Sequence, residues 1–144
     1  MKGVVFALLL TLAACGRGTS RSTSDKVPVV VPGASSTWTT VTVRSPASSA
    51  DLPADMRSKL TPLLASRLLA RPAPLSEYGL DRPQAALTYT NSTGSTAEVD
   101  IGQPNFDRHF VYAQRRGRPG VYLLPADNLR PVLALVGIDV QPPD

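Results

Sequence analysis

Histidine and cysteine each occur once in this chain, as His109 and Cys15, and tryptophan occurs once, as Trp38. A structural metal site needs several converging ligands, so a Cys/His cluster is excluded by count, and a single thiol excludes an intrachain disulfide. The Gly-x-Ser-x-Gly elbow that presents a nucleophilic serine is absent, and His109 is read as a strand or surface residue rather than the base of a triad. Asp100 and Asp107 flank a Gly/Pro/Asn loop but lack the twelve-residue ligand spacing of an EF-hand, so neither metal nor cofactor is expected. No apolar run approaches the roughly 20 residues that span a bilayer. Positive charge is also sparse. The net charge is +4 at pH 7, much of it at Arg17, Arg21, Lys26 and the cluster Arg108, Arg115, Arg116 and Arg118. That is too local for a phosphate-tracking stripe, no recognition-module pattern accompanies it, and nucleic acid is not an expected partner.

Proline is abundant instead: 14 prolines and 10 glycines stand against three phenylalanines. This composition predicts short elements joined by many turns. The N-terminus begins with a basic Met1-Lys2-Gly3, continues through an apolar stretch from Val4 to Leu12, and reaches Leu12-Ala13-Ala14-Cys15. A charged start, a short apolar run and small residues make an export signal. Leu12, Ala13 and Ala14 before Cys15 resemble the lipobox of bacterial lipoproteins, in which the signal peptidase cuts before a cysteine that is diacylated. That resemblance implies residues 1–14 as signal peptide, Cys15 as the lipid anchor, and membrane lipid as the first partner. Gly16 is not the aspartate that favours inner-membrane retention, so the expected address is the extracytoplasmic side of the cell membrane or the outer membrane.

Residues 15–36 are read as anchor and flexible linker, rich in Gly, Ser and Thr, with Val27–Pro32 suited to an edge strand between its prolines. The domain proper is placed at 37–140 and a loose tail at 141–144. Trp38 to Arg44 alternates as a half-buried strand. Asp51-Leu52-Pro53 is expected to open a helix, along which Leu52, Met56, Leu60, Leu63, Leu64 and Leu68 form an apolar stripe. Pro62 interrupts it: either the helix kinks near Leu60, or Thr61 caps a second helix starting at Pro62. Residues 85–90 and 97–101 alternate about an Asn91–Ser95 loop, a predicted hairpin. A second hairpin joins His109–Gln114 to Gly120–Leu124 through a basic tip, and Pro125-Ala126-Asp127 starts a C-terminal helix carrying Leu129, Val132, Leu133 and Val136. The expected fold is α+β: a small antiparallel sheet of about four to six strands packed against a Leu-rich helix and a C-terminal helix.

Between the two halves lies Glu77-Tyr78-Gly79-Leu80-Asp81-Arg82-Pro83. Gly79 is expected to supply a backbone conformation other residues resist, Asp81 a turn bond to backbone, and Pro83 a rigid entry to the first hairpin. The order of a Trp-bearing strand, a Leu-rich helix, this Gly79-Leu80-Asp81/Pro83 turn, a hairpin ending in Ile101-Gly102, and then Val121-Tyr122 resembles domain of unknown function 4340, over roughly Trp38 to Asp139. Members of that family look extracytoplasmic or membrane-anchored, some alongside transport-type systems, and the resemblance implies no catalytic residues. Many carry the module in tandem, whereas this chain holds one copy.

Two surfaces remain as functional candidates. Arg115, Arg116 and Arg118 on the hairpin tip are the candidate partner-binding surface, for an acidic protein of the envelope or anionic lipid; reversing all three is expected to leave folding intact. Glu77 and Asp81 are the candidate carboxylate pair of an alternative, an envelope hydrolase, which needs two such groups about 5–10 Å apart. The leading expectation is a non-enzymatic, membrane-anchored interaction or accessory module.

Overall fold

The computed structural model describes residues 27–34 and 36–144. The expected signal peptide, the expected lipobox residues Leu12, Ala13 and Ala14, the expected anchor Cys15 and the start of the linker lie outside the described residues. In chain order the elements are β1 (Val29–Val31), β2 (Trp38–Arg44), β3 (Ser49–Asp51), α1 (Ala54–Lys59), β4 (Leu63–Leu64) and β5 (Arg67–Leu69). A 3-10 turn at Leu75–Tyr78 follows, then β6 (Ala85–Asn91), β7 (Thr96–Pro104), β8 (Phe110–Arg115), β9 (Val121–Pro125) and α2 (Ala126–Ala134).

The alternating segments make an antiparallel sheet in the order β3-β2-β6-β7-β8-β9-β5, while β1 and β4 pair separately. The main sheet therefore has seven strands rather than four to six. The extra ones, β3 and β5, are three residues long and come from segments without an alternating pattern of their own. Both hairpins form as the alternation predicts. At the first turn the Asn91 side chain accepts bonds from the backbone N–H of Thr93 (3.0 Å) and Ser95 (2.9 Å), while Gly94 takes a φ of 85°. A side-chain carbonyl closing its own turn in this way is the usual service of Asn.

The Leu-rich stretch departs most from expectation. Its helix is only six residues, begins after Pro53 without a side-chain cap, and buries none of its own residues. Asp51, expected near the cap, instead accepts a bond from Thr42 Oγ1 at 2.7 Å within the β2–β3 pair. Thr61 caps no second helix; its hydroxyl donates back to the Arg57 carbonyl at 2.7 Å, and the chain leaves through a cis Thr61–Pro62 bond into β4. Leu52, Leu60 and Leu63 still reach the core, but from a loop, a helix end and a strand, while Leu64 and Leu68 stay exposed.

One face of the sheet carries the core. Val41, Val43, Leu87, Tyr89, Val99, Ile101, Val111, Ala113 and Leu124 project from it against Leu129, Val132 and Leu133 of α2. Val30 and Val31 join them, so the short strand in the linker is part of the packed domain. Strict alternation would put Trp38 on the opposite face, with Thr40 and Thr42. A bulge between Trp38 and Thr40 turns it inward instead, where its ring meets Tyr89 edge-on at 5.5 Å and its Nε1–H donates to the Pro32 carbonyl at 2.8 Å.

Candidate functional site

The turn between the halves is built on the outer face of the sheet. The 3-10 turn ends at Gly79, whose φ of 70° is left-handed, so its N–H can close back on the Ser76 carbonyl at 3.3 Å. The turn sits on a second bulge, where Gly102 and Gln103 of β7 lie between the pairs Ile101–Ala113 and Pro104–Val111. A Cβ on Gly102 would stand 2.3 Å from the Tyr78 carbonyl oxygen, so only glycine permits this approach. Leu80 is buried against the same residue, and Tyr78 stacks at a tilt on Tyr112 of β8, with centroids 4.7 Å apart. Gln103 Nε2 donates to the Glu77 carbonyl at 2.8 Å, and Gln84 Nε2 to the Gly102 carbonyl at 2.7 Å. The turn is thus a clamp over the sheet. Its two carboxylates take no part: Glu77 and Asp81 are exposed, line neither of the two main clefts, and among the described residues Asp81 makes no side-chain hydrogen bond. The turn is held instead by backbone and by Gln103, whose amide the bulge brings to the Glu77 carbonyl, while Gln84 ties the chain after the turn to the Gly102 carbonyl.

The arginines expected at the second hairpin tip divide into different roles. Arg115 lies within β8 and donates from Nη1 to the Val30 carbonyl at 3.0 Å, tying β1 to the sheet. Arg116 reaches across to β7, where it pairs with Glu98 and lies 3.0 Å from Asp100. The hydrogen bond to Asp100, with the charges of Asp100 and Glu98, raises its guanidinium above the ordinary value. Arg118 alone projects from the tip without an ion pair among the described residues. Two of the three are therefore internal ties, with partners 16 to 85 residues away in sequence. His109 is exposed, its N–H bonded to Asp107 Oδ1 at 3.0 Å, and among the described residues no group of His, Cys, Asp and Glu converges on a metal position.

Two clefts remain. One, of about 370 Å³, opens on the polar part of the outer face between Arg44, Pro46, Pro83 and the Asp100–Arg116 pair. The other, of about 420 Å³, is mainly apolar; Leu60, Leu63, Leu124 and Leu129 form its floor and Val27 and Leu64 its rim, with Lys59, Ser66 and Asn128 as its polar lining. Charge and alternation in the sequence gave no hint of this second cleft, since it forms where β4 leaves the core beside the start of α2.

A family model for a domain of unknown function, DUF4340, matches residues 43–134. The chain belongs to the DUF4340 family. No curated protein and no solved structure matches it. The match runs from Val43 in β2 to Ala134, the last residue of α2, and so encloses most of the sheet. In this DUF4340 domain two of the short stretches that carried the resemblance meet in space, and the third packs on β5. Gly79-Leu80 seats on Gly102, while Gly120, before the fully buried Val121, stands close under Leu68 and Leu69 of β5. They are places where backbone passes close to its neighbours.

Proposed function

We propose that the chain is a lipoprotein of the cell envelope whose DUF4340 domain serves as a non-enzymatic interaction or accessory module on the extracytoplasmic side. The observation that carries this reading is Leu12-Ala13-Ala14-Cys15 directly after the apolar run that starts at Val4. Two or three acyl chains on Cys15 hold a protein on a membrane far more firmly than one, each buried methylene contributing about 0.8 kcal/mol. The exposed positions of Glu77 and Asp81 favour the module over a hydrolase, which works from a cleft that excludes water. The resemblance of some family members to components of transport-type systems supports an accessory role beside such an assembly.

Labelling cells with a fatty-acid analogue tests the anchor. The native chain takes up label and sediments with membranes, and Cys15→Ala loses both; label that persists in the variant overturns the reading. Crosslinking in the native membrane then identifies the envelope partner.

A further inference from the structure

The apolar cleft and its surroundings form one end of the domain. Val27 at the rim is 57% exposed and Leu64 42% exposed, both unusual for residues beside a packed core. Pro125 lines the same cleft and pairs with Phe110, the residue that closes the β7–β8 loop. That loop holds Phe106 outward at 95% exposure. Its backbone is well tied: Asn105 Oδ1 accepts from the Phe110 N–H, the Asn105 carbonyl from Arg108, and Asp107 Oδ1 from His109, each at 3.0 Å, with Arg108 in the left-handed region at φ 63°. An aromatic ring is thus presented to solvent by a loop built to keep it there. Exposed apolar groups gathered at one end mark a surface meant to be covered.

The chain itself says what lies nearby. Val27 is both the rim of the cleft and the point where the segment from Cys15 enters the domain, and residues 16–26 reach at most about 40 Å even fully extended. Resting on the lipid-anchored reading above, we propose that this end of the domain docks on the bilayer, with Val27, Leu64 and Phe106 entering the interfacial region. Lys59, exposed at the cleft, carries the charge that suits anionic headgroups. Tethering raises the local concentration of this face at the membrane, so modest apolar contact suffices to hold it down. The β6–β7 turn, at the opposite end of β7, then points away from the membrane.

Single-tryptophan reporters in the full chain test this. Leu64→Trp, Phe106→Trp and, at the far turn, Ser92→Trp are each reconstituted in phosphatidylethanolamine/phosphatidylglycerol vesicles whose acyl chains are brominated; the buried Trp38 is a common background. Severalfold stronger quenching of the L64W and F106W reporters than of S92W supports docking. Equal or absent quenching in a chain that floats with the vesicles overturns it, as it would if a protein partner covered this face instead, and leaves the anchor standing. The same reporters combined with Cys15→Ala, at excess lipid, separate the two readings: quenching that survives there supports docking even should acylation fail. A native chain that neither floats nor is quenched overturns both.

Discussion

At the scale of single residues, Tyr89 joins the sheet to the helical side. It is fully buried, meets Trp38 edge-to-face, and donates its hydroxyl to the Leu60 carbonyl at 2.8 Å, where α1 has just ended. Burial pushes its phenol well above the ordinary value. Such a group stabilises the fold fully below its unfolded pKa of about 10 and loses that contribution as pH rises through the folded value. Tyr89→Phe leaves a buried carbonyl without its donor, and urea unfolding at pH 7 is expected to show a loss of about 1–2 kcal/mol. Between pH 10 and 11.5 the native protein loses stability faster than the variant, because the variant has no phenol to ionise at that site. Parallel slopes for the two proteins would place the alkaline sensitivity at another tyrosine.

At the scale of elements, the clamp of the 3-10 turn over the β7 bulge separates what the sequence displayed from what it hid. Strands such as β2, β6 and β7 were legible because alternation and the turn chemistry of Asn91 and Gly94 are local properties. Gly79 was legible for the same reason. The Leu52–Leu68 stretch misled because leucines at spacings of three and four fit a helix equally well when they reach the core from three separate elements, and Pro62 marked a true end rather than a kink. Gly102 reads only as a strand residue until the Tyr78 carbonyl is seen pressed against it. Gly102→Ala is accordingly expected to cost about 1–3 kcal/mol through forced displacement of backbone. Limited proteolysis should then cut sooner between residues 70 and 84, with the sheet retained. An unchanged urea midpoint and cleavage pattern would mean that the turn seats elsewhere.

At the scale of the whole molecule, Arg57, Arg115 and Arg116 act as ties between distant parts, and the uniform charge expected of the hairpin tip resolves into two structural residues and Arg118, which makes no ion pair among the described residues. Neither Arg115 nor Arg116 could be assigned a partner from sequence, since those partners lie in β1 and β7 and depend on the finished sheet. Reversing all three arginines is now expected to destabilise the protein measurably in thermal unfolding, since Glu at 116 would face Glu98 and Asp100 and Glu at 115 would abandon the Val30 carbonyl. Arg118→Glu alone should stay within about 0.5 kcal/mol of the native protein. Equal Tm values for the triple and single variants would show that these ties contribute nothing. Both borders of the seven-stranded sheet are strands of only three residues, Ser49–Asp51 and Arg67–Leu69, the one bearing an acid and the other a base. Molecules confined to a surface meet each other often, and a long bare border would let neighbouring sheets join into continuous ribbons. Borders this short and charged offer little backbone for such joining.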